Sequence, residues 1–272
     1  MSGLPGRLVL LGHPLGHSFS PRFQNAALAL ARIPLTYELL DVPRSALDST
    51  IEALRQHRAA GNVTVPYKED FHAQCDRLSA TARAVGAVNT FWTAVDGALV
   101  GDNTDVAGFE AAARQLLAER GLPGRVALMG AGGAAAAALH AMKGWDGASV
   151  SVYSRTLARA DRLVARLQSN ATVVASLDEA LAGAGLLVNA TPVGLHDETT
   201  PVDVARLPAG IAVLDIVYRA GATALVRQAR ARGLAAQDGA VMLVEQGALA
   251  FERWFGVVPD RRAMWEAIDS GG

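Results

Sequence analysis

The chain has 272 residues, 51% of them apolar, with 25 basic against 26 acidic side chains and one cysteine. That apolar share excludes a disordered or fibrous chain, and the net charge of −1 offers no polybasic field to nucleic acid or to an anionic membrane. The lone Cys75 excludes an internal disulfide framework and a cysteine-built metal cluster.

The length suits two modest domains or one large one. No apolar run reaches the roughly 18 residues that span a bilayer, and the short apolar run at 8–11 is cut by a glycine and a proline, so a cytoplasmic protein is expected. Of the basic residues 23 are arginine; the two lysines are Lys68 and Lys143.

In chain order, short β-like runs alternate with longer helical patterns. Residues 7–11 read as a strand, 21–32 as a helix, 37–41 as a strand, 45–59 as a helix and 62–65 as a strand stopped by Pro66. Strands at 87–95 and 98–101 flank Asp96-Gly97, a dipeptide suited to a tight hairpin. Asn103 or Thr104 is placed to cap a helix running to about residue 120, which a Gly-Leu-Pro-Gly loop at 121–124 ends. Beyond it the rhythm is regular: strands at 125–129, 149–153, 173–175, 186–189, 213–216 and 234–236, helices at 133–143 and 157–167, then closing helices at 241–255 and 261–268. Such βαβα alternation predicts an α/β fold with mostly parallel sheet covered by helices.

One glycine cluster follows a strand and opens a helix. Gly130-Ala131-Gly132-Gly133-Ala134-Ala135 fits G-x-G-x-x-A, in which the first glycine makes the turn, the second admits a pyrophosphate and the last small residue packs helix on strand. The helix N-terminus adds N–H donors and positive dipole. The alternative is a tight turn that binds nothing. The next strand ends Tyr153-Ser154-Arg155-Thr156-Leu157-Ala158-Arg159, without the carboxylate that would bond an NAD ribose. Arg155 and Arg159 suit a 2′-phosphate, with Ser154 and Thr156 hydroxyls beside them, so NADP is favoured over NAD; the alternative for both arginines is a solvated helix face.

In Asn62-Val63-Thr64-Val65-Pro66-Tyr67-Lys68 the alternation puts Asn62 and Thr64 on one strand face, with Lys68 just beyond. Asp102-Asn103-Thr104-Asp105 offers a carboxylate at a helix start, where the dipole favours negative charge. A lysine near an ionised aspartate can protonate an alkoxide; taken alone, a lysine such as Lys68 is more often a surface residue and an aspartate such as Asp105 more often an N-terminal helix charge. Ser18 and Ser20, before a helix, are either caps or a pair of hydroxyls aimed at a carboxylate. His13 and His17 lack a spaced third ligand, and no metal is expected.

Several segments together resemble the shikimate dehydrogenase family. They are Gly16-His17-Ser18-Phe19-Ser20-Pro21, the Asn62-to-Lys68 run, Gly86-Ala87-Val88-Asn89-Thr90, Gly101-Asp102-Asn103-Thr104-Asp105 and the glycine turn. Ser154-Arg155-Thr156, Asn189-Ala190-Thr191-Pro192-Val193-Gly194, Asp215-Ile216-Val217-Tyr218, Asp238-Gly239 and Met242-Leu243-Val244-Glu245-Gln246 continue the series, in the family's order and over nearly the whole chain. Ser154 stands where the family usually has Asn, Thr223-Ala224 replaces Thr-Pro, and Glu245 adds a charge.

The resemblance implies two α/β domains with the active site in the cleft between them. A substrate-binding domain with a mostly parallel sheet would span 1–104, completed by 238–272, and a Rossmann-type NADP-binding domain 105–237. It implies Lys68 and Asp105 as the catalytic pair, and Ser18 and Ser20 on the substrate carboxylate with Thr64 and Tyr218 assisting. Asn62, Asn89, Asp105 and Gln246 would bond the ring hydroxyls. Gly130, Ala131, Gly132, Gly133 and Ala134 would hold the NADP(H) pyrophosphate, Ser154, Arg155, Thr156 and Arg159 the adenosine phosphate, Thr191 the cofactor, and Ile216, Gly239 and Met242 the nicotinamide. The implied reaction is reversible reduction of 3-dehydroshikimate to shikimate in aromatic amino acid biosynthesis, by a monomer or homodimer. The alternatives are a quinate or aminoshikimate dehydrogenase, or a non-catalytic regulator that binds NADP and shikimate.

Overall fold

The computed structural model of the protein describes residues 3–16 and 18–269; His17 therefore lies outside the described residues. The chain divides into two compact units, 1–104 with 244–272, and 105–243.

In the first unit the strands are β1 (Leu8–Gly12), β2 (Tyr37–Asp41), β3 (Ala60–Val63), β4 (Arg77–Leu78), β5 (Thr90–Thr93) and β6 (Leu99–Asp102). Among the described residues they form one six-stranded sheet in the order β2-β1-β3-β5-β6-β4. Pairing is parallel for β1–β2, β1–β3 and β4–β6, and antiparallel for β3–β5 and β5–β6. The helices of this part are α1 (Ser20–Leu30), α2 (Leu47–Gln56), α3 (Lys68–Gln74) and α4 (Ala80–Val85). In α2, Leu47, Ile51 and Leu54 recur at helical spacing and are buried. They join Val9, Leu11, Phe71 and Phe91 in one core.

The second unit begins with α5 (Asp105–Leu116), then β7 (Arg125–Met129), α6 (Gly133–Met142), β8 (Ser149–Tyr153), α7 (Leu157–Leu167), β9 (Thr172–Val173) and α8 (Leu177–Leu181). It continues with β10 (Leu186–Asn189), β11 (Ala212–Asp215), α9 (Ala224–Ala231) and β12 (Ala236–Gln237). The order β12-β11-β10-β7-β8-β9 is parallel throughout. Numbered from β7 this is 3-2-1-4-5-6, the doubly wound order whose direction reverses beside the first strand. β10 and β11 are buried along their whole length, as strands covered by helices on both faces must be. The alanine run of α6 is fully buried at Ala135, Ala136, Ala137 and Ala138, because methyl groups let the helix lie close. Two helices end the chain: α10 (Ala240–Phe255), which carries both Met242 and Gln246, and α11 (Arg261–Asp269).

Most predicted strands appear within a residue or two of their expected bounds, the third lying at 60–63, not 62–65. Asn62 lies on it, and Thr64 is one residue past its end, where its N–H still bonds Leu11 O of β1. The helices expected to residue 59 and to about residue 120 stop earlier, at Gln56 and Leu116. The strand expected at 87–95 shrinks to β5, because Ala87, Val88 and Asn89 are irregular. Helices α3 and α4 were not anticipated. Ser79 caps α4 by accepting from the Ala82 N–H at 3.0 Å, and Gly86 ends it at φ 69°.

Gln24 on α1 donates from Nε2 to the Gly247 carbonyl on α10 at 3.0 Å. A Cβ at Gly247 would lie 2.4 Å from the Phe23 ring. Gly247→Ala is therefore expected to destabilise the protein by roughly 1–3 kcal/mol through overpacking, read as a lower thermal midpoint. An unchanged midpoint would show that the Phe23 ring yields freely.

Candidate functional site

The topology of the first unit gathers four segments at one end of its sheet. Parallel β1 and β3 deliver the chain there at Gly12 and Val63; β6 arrives at Asp102, and antiparallel β5 departs from Thr90. Main-chain bonds then knit the segments: Thr64 N donates to Leu11 O at 2.9 Å, His13 N to Val65 O at 3.1 Å, and Val88 N to Lys68 O at 2.9 Å. A Cβ at Gly12 would lie 2.5 Å from the Thr64 methyl, so the two loops are in direct contact.

At the centre lies the Asn89 side chain, 2% exposed. Its Nδ2 donates to Thr104 Oγ1 at 2.9 Å and to Gln246 Oε1 at 3.1 Å, while its Oδ1 accepts the Thr104 N–H at 2.7 Å. Its own carbonyl accepts Asn62 Nδ2 at 3.0 Å and Val63 N at 2.8 Å. Asn62 Oδ1 in turn accepts the Tyr37 hydroxyl at 2.8 Å. Asn62, Asn89 and Gln246, which sequence singles out separately, are thus one connected set of carboxamides. Gln246 is held there by its helix: Trp254 Nε1 donates to Thr90 Oγ1 at 3.1 Å and Arg253 Nε to Asp102 Oδ2 at 3.0 Å.

Lys68 is the first residue of α3 and half-buried, with Tyr67 at the cap position. A cation at a helix N-terminus gains nothing from the dipole, so helix stability does not explain its choice. Asp105 begins α5, directly after Thr104, and is 3% exposed. Ser18 Oγ accepts the Ser20 N–H at 3.3 Å, and α1 starts at Ser20 behind a Phe19 cap residue that makes no side-chain capping bond. Ser20 is accordingly the first helical residue and not a cap. The loop they occupy is tied to the end of β2 by Asp41, which pairs with His13 Nδ1 at 2.5 Å and accepts the Leu15 N–H at 3.0 Å.

In the second unit the glycine turn sits at the strand-order reversal. Gly130 has φ 111°, donates its N–H to Tyr153 O at 2.8 Å, and would put a Cβ 2.8 Å from the Ala190 carbonyl and 3.4 Å from the Thr191 methyl. Thr191 is thereby brought beside the turn from the next strand. A Cβ at Gly132, by contrast, would meet nothing within 4 Å. Gly132 precedes α6 with no side-chain cap, leaving N–H donors facing an open cradle. Those features fit a pyrophosphate. Ser154 is half-buried, with Oγ accepting the Thr156 N–H at 3.4 Å; Arg155, Thr156 and Arg159 are exposed. Among the described residues neither arginine has a carboxylate partner.

Ile216, Tyr218 and Gly239 cluster past the ends of β11 and β12. Gly239 N donates to Val217 O at 2.9 Å, and a Cβ on Gly239 would fall 2.0 Å from the Ile216 carbonyl. Met242 is buried on α10. Sequence reasoning missed the carboxylate beneath this cluster. Asp215, 1% exposed, accepts Asn189 Nδ2 at 2.8 Å, Thr223 Oγ1 at 2.7 Å and Val217 N at 3.2 Å. Burial pushes its carboxyl up to about 6 against the lowering by those hydrogen bonds, and nearby Asp238 pushes it the same way. The available signal was an aspartate closing a wholly apolar strand. Thr104, read only as a cap candidate, and Tyr37 were also missed as members of the amide set.

Among the described residues no group of His, Cys, Asp or Glu could hold a metal ion, and no helix is long and apolar enough to cross a membrane. Burial pushes the Cys75 thiol up to about 12, which leaves no thiolate for nucleophilic work.

Family models match the chain twice: the shikimate dehydrogenase substrate binding domain at residues 10–91 and the shikimate 5′-dehydrogenase C-terminal domain at 239–268. The shikimate dehydrogenase (NADP(+)) of Rubrobacter xylanophilus is 43% identical over 97% of this chain and 95% of its own length. The crystal structure of shikimate 5-dehydrogenase from Thermus thermophilus in complex with NADP(H) and shikimate superposes with a TM-score of 0.82 at 39% identity, covering 96% of this chain and 97% of that one. A quinate dehydrogenase from Corynebacterium glutamicum in complex with NAD reaches a TM-score of 0.85 at 29% identity, covering 97% and 98%.

The raised Asp215 carboxyl gives a stability prediction. A carboxyl that binds its proton more tightly when folded stabilises fully below the unfolded value, and that contribution disappears as pH rises through about 6. The stability of the wild type relative to Asp215→Asn should thus fall by roughly 2 kcal/mol between about pH 4 and pH 7.5. Denaturant unfolding at both ends of the range measures it; parallel curves for the two proteins would contradict the assignment.

Proposed function

This chain belongs to the shikimate dehydrogenase family, and on that premise we propose that it catalyses the reversible NADPH-dependent reduction of 3-dehydroshikimate to shikimate in aromatic amino acid biosynthesis. The observation that carries the reading is the convergence of the Asn62, Asn89 and Gln246 carboxamides with the loops bearing Ser18, Thr64 and Lys68. A polyhydroxylated ring needs such a set of paired donors and acceptors, and a ketone reduction needs one proton donor beside it.

NADPH, when bound, supplies the hydride that adds to the C3 carbonyl carbon. The Lys68 ammonium gives its proton to the oxygen that becomes the hydroxyl, and in the reverse direction its amine takes that proton back. Arginine cannot replace it, because a guanidinium hardly releases a proton. Asp105 accepts from the substrate hydroxyl and orients it toward Lys68. Ser18 and Ser20 hold the substrate carboxylate, with Thr64 and Tyr218 assisting, so that binding energy far from C3 orients the reacting carbon. Asn62, Asn89 and Gln246 fix the ring hydroxyls.

Residues 1–104 with 238–272 serve as the substrate-binding domain and 105–237 as the NADP-binding domain. The turn Gly130, Ala131, Gly132, Gly133 and Ala134 takes the pyrophosphate, with Thr191 beside it. Ser154, Arg155, Thr156 and Arg159 take the 2′-phosphate, and Ile216, Gly239 and Met242 face the nicotinamide. This reading sets the enzyme in the cytoplasm, as a monomer or homodimer.

Lys68→Ala is expected to lower kcat by roughly 10²–10⁴-fold, the scale of a lost general acid, with the KM for 3-dehydroshikimate little changed. Near-full turnover would remove Lys68 from the chemistry. Arg155→Ala should raise the KM for NADPH far more than that for NADH, since only NADPH carries the phosphate the guanidinium would bind. Equal changes for the two cofactors would defeat the phosphate assignment.

A further inference from the structure

β11 reads Ala-Val-Leu-Asp and is buried throughout, so its last residue brings a carboxylate into an apolar layer. Burying such a group is costly without partners. Asp215 is given donors from three segments: Asn189 at the end of β10, Val217 in the turn after β11, and Thr223 before α9. Among the described residues no cation is seen to offset the burial. Asp238, after β12, is a like charge, and Arg230 of α9 acts on Asp238. Arg227 of α9 pairs with Glu198, and on α5 Glu110 pairs with Arg114.

The carboxylate also dictates the partners' orientations. A carboxylate can only accept, so the Asn189 amide must turn its NH₂ toward Asp215 and its oxygen outward. That oxygen accepts both the N–H of Thr191, at 3.1 Å, and its hydroxyl, at 2.7 Å. On the other side, Val217 is held by its N–H while its carbonyl accepts Gly239 N. Thr191, Ile216 and Gly239, all assigned to the cofactor above, therefore stand on segments fixed by one buried group.

We propose that Asp215 is a positioning residue for the dinucleotide: its ionised carboxylate, acting through Asn189 and Val217, holds the turns after β10 and β11 in the geometry that binds NADP(H). The inference rests on the cofactor reading of the preceding section. Asn189 and Val217 both donate to Oδ1 and Thr223 to Oδ2, so a proton on Oδ2 reverses the Thr223 bond and removes the charge that strengthens the two bonds to Oδ1, which changes the geometry of the turns.

Calorimetric titration of the full chain with NADP⁺, which survives acid, tests this without relying on turnover. Asp215→Asn should weaken binding about tenfold at about pH 7.5. The ratio of variant to wild-type Kd should shrink toward one by about pH 5; the cofactor's own phosphate titration cancels in that ratio. Thr223→Val should weaken binding several-fold and Thr223→Ser restore it, which keeps the test decisive if Asp215→Asn fails to fold. Equal affinities for wild type, Asp215→Asn and Thr223→Val, or a ratio indifferent to pH, would overturn the role of Asp215. A wild type that does not bind NADP⁺ would overturn the cofactor reading, and this inference with it.

Discussion

A buried side-chain amide is costly to leave unpaired, and Asn89 pairs its donors and its acceptor by joining segments far apart in sequence. Its partner Thr104 lies 15 residues away and its partner Gln246 lies 157 away. Losing one such bond in a buried setting costs about 1–3 kcal/mol, so the site's architecture and the first unit's stability rest on the same contacts. Thr104 fixes the residue before Asp105; Asn62 and Val63, bonded to the Asn89 carbonyl, fix the strand from which the chain proceeds to Lys68. The amides that the proposed function gives to the substrate's ring hydroxyls are thus the ones that tie the first unit together.

The second unit applies the same device at a different place. There a buried carboxylate, not an amide, orders the turns, and the donors converge from Asn189, Val217 and Thr223. The two lysines show how local chemistry selects residue type in a chain that otherwise uses arginine. Lys143 donates to the Leu167 carbonyl near the end of α7 at 2.9 Å, a role any long cation can fill. Lys68 occupies a helix start, where a cation is not favoured, beside the gathered polar loops.

What sequence makes legible is what short range determines. The glycine turn is readable because strand, turn and helix follow within a few residues, and the missing carboxylate after Tyr153 is equally local. Parallel strands with apolar runs and helices such as α7 announce themselves by period. Helices α3 and α4 do not: they are too short for a period, and Pro66 reads as a stop. The grouping of Asn62 with Thr64 rested on a strand two residues too late, while the contact that matters runs from Asn62 to Asn89 across paired strands. The family resemblance marks Ser18, Lys68, Asn89 and Gln246 by motif, but nothing in spacing alone links the last two. Asp215 escaped because its partners are 26 and 8 residues away and its importance lies in what it orients.

On the proposed function, this chain oxidises shikimate with NADP⁺, the reverse of its biosynthetic direction. The direct test follows the appearance of reduced nicotinamide by absorbance with the wild-type protein, offering shikimate or quinate, each with NADP⁺ or NAD⁺. The highest kcat/KM is expected for shikimate with NADP⁺. Preferred turnover of quinate with NAD⁺, or no reduction of either cofactor with either substrate, would contradict it.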